Sequence, residues 1–146
     1  MAEGGFRVIV AGTDGSTLAE VALAHAARIA AQDGAALHVV CAFPDASAFR
    51  ERLRSSARTD PIDLRTVAED TLARAKAHVA DQGLEAQTHL LEGDPAEELI
   101  KQAQELGADL LVVGSRGLSR VERITMGSVS HKIFHHAPCT VMVVKD

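Results

Sequence analysis

Apolar positions along the chain follow two alternating rhythms. Short runs rich in β-branched residues occur at residues 6–11 (Phe6-Arg7-Val8-Ile9-Val10-Ala11), 36–42, 86–91, 109–113 and 140–144. Each has the length and composition of a strand. The run at 109–113 (Asp109-Leu110-Leu111-Val112-Val113) is continuous enough to predict burial on both faces. Between the runs the apolar spacing widens to three or four residues. Leu18, Val21, Leu23, Ala26, Ile29 and Ala30 mark an Ala-rich helix over 17–32, closed by Gly34. Asp60-Pro61 predicts the start of a second helix, with Pro at its first position, running to about Gln82 and stopping at Gly83. Asp94-Pro95 opens a third, with Glu97 and Glu98 in its first turn and Gly107 at its end. Gly127-Ser128 opens a fourth, which runs to about His136 before Pro138. Residues 43–59, with Pro44 and the trio Arg50, Arg52 and Arg54, break the rhythm and read as a long excursion, part loop and part short helix. Strand and helix in this alternation predict an α/β fold with a parallel sheet and right-handed crossovers.

Composition sets the class. A length of 146 residues suits one domain, and 47% hydrophobic with 24% charged residues is ordinary globular usage. The net charge of −5 argues against a nucleic-acid binder held by phosphate contacts. With no Trp, no Tyr and four Phe, the chain cannot build an aromatic platform for stacking bases. Apolar runs of about five residues fall far short of the ~20 that a membrane helix needs. Met1-Ala2-Glu3-Gly4-Gly5 has no basic-then-apolar leader, so a cytoplasmic placement and no membrane are expected. Cys41 and Cys139 form no CxxC pair and are expected as two reduced, buried thiols.

In open parallel sheets ligands sit beyond the carboxyl ends of the strands. Two segments leave strand ends with unusual backbone freedom: Gly12-Thr13-Asp14-Gly15-Ser16, and the stretch from Gly114 to Ser128. The second carries Gly114, Gly117, Gly127 and Ser128, the last two at a predicted helix start. That start offers unpaired N–H donors and a positive dipole end, to which the Ser128 and Ser130 hydroxyls can add. It reads either as a polyphosphate cradle or as two ordinary turns in which Ser128 is only a helix cap. No GxxxxGK[ST] and no GxGxxG occur, so there is neither a P-loop lysine nor a dinucleotide fingerprint. His131 and His135 are four apart beside His136, a spacing that suits zinc or merely the helix dipole. No carboxylate or Cys stands at a matching local spacing, so no metal site is assigned. Cys139 reads as packing, and Arg120 and Arg123 as solvated charges.

The motif G-x2-G-x9-G-[ST] is met by Gly114, Gly117, Gly127 and Ser128. Together with Val8 to Ser16, and with Gly127-Ser128-Val129-Ser130-His131-Lys132-Ile133 through Ala137-Pro138-Cys139-Thr140-Val141, it resembles the universal stress protein family over essentially the whole chain except residues 43–59. The resemblance implies a Rossmann-like open sheet of five parallel strands in order 3-2-1-4-5, with helices on both faces. It implies ATP as ligand, with Mg2+ or Mn2+ on the phosphates, and a homodimer through the C-terminal strand. Carried over by position, Asp14 meets the nucleoside end, Val39 lines the adenine, and Gly114, Arg116 and Gly117 shape the ribose-phosphate loop. Gly127, Ser128 and Val129 hold the phosphates. Gly12 departs from relatives that carry Pro or another bulky residue there, which loosens the adenine contact without blocking it. Asp14 can equally serve as a helix cap or Asx-turn, Val39 as plain core and Arg116 as a loop charge.

The implied activity is that of an ATP-binding stress-response and signalling module with at most slow hydrolysis. No general base and no P-loop lysine are evident, although a phosphate-bound metal polarises phosphate by itself. Two alternatives stand beside it. One is a member that binds no ATP and acts through protein contacts. The other is a genuine nucleotide hydrolase or transferase.

Overall fold

Branched side chains at Val8, Ile9 and Val10 and at Val39 and Val40 favour extended backbone. The computed structural model, which describes residues 4–44, 63–116 and 127–145, builds its central strands from them. β1 (Val8–Gly12), β2 (Ala36–Phe43), β3 (Ala86–Glu92), β4 (Leu110–Gly114) and β5 (Thr140–Val144) alternate with α1 (Thr17–Asp33), α2 (Leu64–Ala80), α3 (Pro95–Leu106) and α4 (Ser128–His136). Every pairing is parallel and the order is β3-β2-β1-β4-β5, as the family resemblance implies.

Strand residues divide by parity between two cores. Ile9, Ala11, Leu37, Val39, Leu110 and Val112 face α1 and α2. Val10, Val40, Leu111 and Val113 face α3 and α4 through Leu99, Ala103 and Ile133. β4 is buried on both faces up to Val113, as its unbroken apolar run predicts. At the amino edge the Asp109 carboxylate accepts from the N–H groups of Arg7 (2.9 Å) and Val8 (3.0 Å), which fixes where β1 starts beside β4.

Local chemistry sets the helix ends. Gly34 and Gly107 stop α1 and α3 in the left-handed conformation, at φ 67° and 65°. Asp94 caps α3 by accepting from the Glu97 N–H, with Pro95 in the first turn. α2 departs from expectation. Its cap is Asp63, which is extended at φ −83° and ψ 93° and accepts from the Thr66 N–H, so the helix begins at Leu64 rather than at Pro61. Asp60 and Pro61 lie outside the described residues, as do Arg50, Arg52 and Arg54. At the other end Gln82 and Gly83 donate to the carbonyls of Val79 and Ala80, closing the helix two residues early in tighter turns.

β1 feeds α1 on one face, while β4 is followed by α4 on the other. The switch point of the sheet therefore lies between β1 and β4, at their carboxyl ends.

Candidate functional site

The first wall of the switch point is the turn after β1. The Thr13 N–H donates to the Val40 carbonyl at 2.9 Å, so the turn is anchored to β2 before it leaves the sheet. Asp14 Oδ1 accepts from the Ser16 N–H at 2.9 Å, an Asx-turn. Gly15 supplies the positive φ (82°) that the reversal needs, and its N–H donates to Thr13 Oγ1. Ser16 Oγ accepts from the Ala19 N–H at 3.2 Å and caps α1. Of the two local roles open to Asp14, the turn is the one it fills, and the cap belongs to Ser16.

The second wall is the end of β4 with the start of α4. The Ser115 N–H donates to the Val144 carbonyl at 2.8 Å, extending the β4–β5 ladder one step. The Gly127 N–H donates to the Ser115 carbonyl, and Ser130 Oγ donates to the Gly114 carbonyl; both contacts measure 2.5 Å. These bonds pin the first turn of α4 to the strand end. The Gly127 N–H and the Ser130 hydroxyl are engaged inside the protein. The N–H groups of Ser128, Val129 and Ser130 occupy the first helical turn, where no earlier carbonyl of the helix can reach them. The capping residue is a glycine, no side chain caps the helix, and no acidic residue stands in its first turn. α4 thus keeps its donors and its positive dipole end uncompensated by its own side chains.

Neither Gly114 nor Gly127 has positive φ; Gly114 acts through close approach, whereas Gly127 has ordinary room for a Cβ. A Cβ on Gly114 would lie 3.1 Å from Leu18 Cγ of α1, and one on Gly127 would lie 3.4 Å from the Ser115 carbonyl oxygen. A Cβ on Gly12 would point at Leu99 Cδ1, 2.8 Å away. The missing side chain at Gly12 thus makes room for α3, which gives the departure a packing reason. Arg116 follows directly on Ser115, at the rim of the same opening. Gly117, Arg120 and Arg123 lie outside the described residues.

Val39 is fully buried among the residues facing α1 and α2, opposite Ala11 in the ladder. Its side chain is part of the core. Cys41, two residues nearer the carboxyl edge on the same face, is the β2 side chain that responds to this region. Burial pushes its thiol up to about 11, and the Asp14 charge adds to the effect. Cys139 is only half-buried; burial, then the Asp109 charge, raises its pKa. Both thiols are free. His131 and His135 stack edge-to-face with centroids 4.5 Å apart. Among the described residues no three His, Cys, Asp or Glu side chains gather in a way that could hold a metal ion. A cleft of about 220 Å³ opens between α1 and α2, lined by Thr13, Gly15, Glu20, Thr71, Arg74 and His78 among others. It shares the β1 turn with the switch point, and neither Gly114 nor Gly127 lines it.

Sequence reasoning passed over one polar group. His38 is 6% exposed in the middle of β2, and its Nδ1 lies 2.9 Å from His89 Nε2 on β3. The signal was present as an imidazole inside an otherwise apolar run.

Residues 5–145 match the model of the Universal stress protein family. The chain belongs to the universal stress protein family. It is 33% identical to a universal stress protein of Methanocaldococcus jannaschii over 142 residues, 96% of this chain and 82% of that one. Among solved structures it resembles the universal stress protein from Archaeoglobus fulgidus in complex with dAMP, with TM-score 0.71 and 27% identity over 95% of this chain and 97% of that one. It also resembles a universal stress protein solved in complex with cAMP, with TM-score 0.67 and 28% identity over 97% and 98% of the two chains. The parallel sheet and its strand order are those of a universal stress protein fold. Among the described residues no helix is long and apolar enough to cross a membrane.

Proposed function

We propose that this universal stress protein binds ATP at the β1–β4 switch point and acts as a nucleotide-dependent stress-response and signalling module. The observation that carries the reading is the start of α4. It has a glycine cap with no side-chain acceptor, no acid in its first turn, and a position pinned beside Gly114 and Ser115 at the carboxyl edge. Such an end receives phosphate through backbone N–H groups. Here the donors are those of Ser128, Val129 and Ser130, with the Ser128 hydroxyl beside them. Gly114, Arg116 and Gly117 form the approach to the phosphates, and Gly127 keeps the cap bare. Asp14 and Thr13 meet the nucleoside, Asp14 through its carboxylate. The two solved relatives with bound dAMP and cAMP support adenine as the base.

Mg2+ or Mn2+ accompanies the ligand through phosphate oxygens. Among the described residues of the two strand-end segments the one carboxylate is Asp14, and one of its oxygens accepts from Ser16. The motif carries no P-loop lysine to stabilise a transferring phosphoryl group, which keeps hydrolysis slow. The protein works in the cytoplasm as a homodimer, paired along β5, an edge strand whose Val141, Met142 and Val143 are only half-buried.

The test is to release and identify the nucleotide that co-purifies, then to titrate ATP with Mg2+ by calorimetry beside AMP, dAMP and cAMP. Gly127→Val serves as the control. Binding of ATP that the variant loses by at least about tenfold, or about 1.4 kcal/mol, supports the reading. Absence of binding by every adenine nucleotide overturns it in favour of a member that works through protein contacts. Preference for a one-phosphate ligand moves the assignment from ATP to that ligand. Turnover of several ATP per minute, abolished by Asp14→Ala, makes it a hydrolase instead.

A further inference from the structure

The His38–His89 pair sits under α3, on the face of the sheet opposite α1 and α2. His38 Nδ1 and His89 Nε2 are 2.9 Å apart, and Gln102 Nε2 of α3 lies 3.4 Å from His89 Nδ1. The three groups form one directional chain when both rings are neutral. Gln102 donates to His89 Nδ1, His89 Nε2–H donates to His38 Nδ1, and His38 keeps its own proton on Nε2. These tautomers are assigned from the hydrogen-bond network. Among the described residues no counter-charge is recorded against the pair. In register beside His38 stand Val10 of β1 and Gln87 of β3, and Val40 and Leu99 pack on the same face. Among the charged side chains of α3, Glu97, Lys101 and Glu105 are exposed, while Glu98 packs against Gly93.

Proton counting then gives two steps. A first added proton takes the His89 Nδ1 lone pair and turns the Gln102 amide to present its oxygen. The His89–His38 bond survives, now charged and poorly solvated. A second proton has only His38 Nδ1 to occupy, which sets N–H against N–H at 2.9 Å and forces the rings apart. The consequence reaches further, because the first turn of α3 grips α4. Lys132 Nζ lies 2.9 Å from Glu97 Oε1 and 3.5 Å from the capping carboxylate of Asp94.

We propose that the His38–His89–Gln102 chain is a proton-operated latch that seats α3 on β2 and β3 and, through the α3–α4 bridge, weakens the glycine-motif site in acid. The link to the glycine motif rests on the nucleotide reading above; the latch itself does not. Burial lowers both imidazole pKa values below the ordinary 6.5, and for His38 the neighbouring His89 adds to this. A folded state that holds neutral imidazoles binds fewer protons than the unfolded chain. Its stabilisation is therefore complete above 6.5 and is lost as pH falls from there through the folded values.

The experiment uses the full chain and the double variant His38→Asn/His89→Gln, which places amide groups where the facing ring nitrogens were and cannot titrate. Between about pH 7.5 and about pH 5, the unfolding equilibrium constant of the wild type should rise at least about threefold more than that of the variant. Equal pH dependence overturns the latch. Ring 15N titration of the wild type gives a second readout that stands even if the variant fails to fold. Midpoints below 6.5 for both rings support the latch, and an ordinary midpoint for either overturns it. ATP affinity, taken as the ratio of wild type to variant, should fall over the same interval. A constant ratio overturns the coupling to α4. If the wild type binds no nucleotide at either pH, the nucleotide reading and the coupling fall together, and the ring titration still decides the latch.

Discussion

Two helices begin at the same carboxyl edge of this sheet, and their first turns are opposites. α1 is closed by its own sequence: Ser16 caps it, Asp14 braces the cap, and Glu20 puts negative charge in the first turn. α4 is left open: its cap is Gly127, it has no acidic residue in its first turn, and its one buried hydroxyl, on Ser130, is turned back to the strand. The geometry that exposes N–H donors is common to both helices. What differs is whether a neighbouring side chain has already answered them. α1 is closed by its own side chains, whereas among the described residues no side chain caps the start of α4.

The comparison breaks most visibly if α4 is given the kind of cap that α2 and α3 carry. Gly127→Asp is compatible with the fold, because the residue sits at φ −71° and ψ 167° and its Cβ would have ordinary clearance. Stability should rise by about 0.5–1 kcal/mol through capping and the helix dipole. Nucleotide affinity should fall at least about 100-fold, because a carboxylate would then face the phosphates and occupy their donors. Urea denaturation and calorimetry on the same variant read the two effects with opposite signs. A rise in stability with unchanged affinity would mean that the phosphates bind elsewhere.

Gly114 is where the two helix starts meet, since a Cβ there would press on Leu18 in the first turn of α1. Gly114→Ala should cost about 1–3 kcal/mol by overpacking. The accompanying loss of affinity should be smaller than in Gly127→Asp, because no charge is introduced. Equal stability of variant and wild type would show that α1 can slide away from β4, and that the two walls are not rigidly joined.

Much of this arrangement was legible in the sequence, for physical reasons. Branched runs, the start signal at Asp94-Pro95 and the stop signals at Gly34 and Gly107 are local, so the strands and three of the helix starts read directly from composition and spacing. The motif glycines were legible as a pattern, but their reason was not. Positive φ is a local property, whereas the contacts of Gly114 with Leu18 and of Gly12 with Leu99 depend on helices folded against the strand from elsewhere. Val39 and Cys41 illustrate the same limit. Both lie on one face of β2, and only the register against β1 shows which of them reaches the edge. His38 and His89 are 51 residues apart and meet only because β2 and β3 pair. The second helix is capped by Asp63, which offers the same chemistry as Asp60, and Asp60 and Pro61 lie outside the described residues.

The smallest expected effect lies at α1, and it sharpens the contrast by being purely structural. Ser16→Ala removes the oxygen that accepts from the Ala19 N–H and should cost about 1 kcal/mol of stability. Because Ser16 is 9% exposed, water cannot easily take over the lost bond, which favours the upper part of the usual range for such caps. Nucleotide affinity should stay within about threefold of wild type, since the α1 donors are not those proposed to meet phosphate. Thermal unfolding and ATP titration of this one variant therefore give a loss and a near-constant. If affinity instead drops as far as in Gly127→Asp, the end of α1 is itself a phosphate wall, and the two helix starts differ less in function than their caps imply.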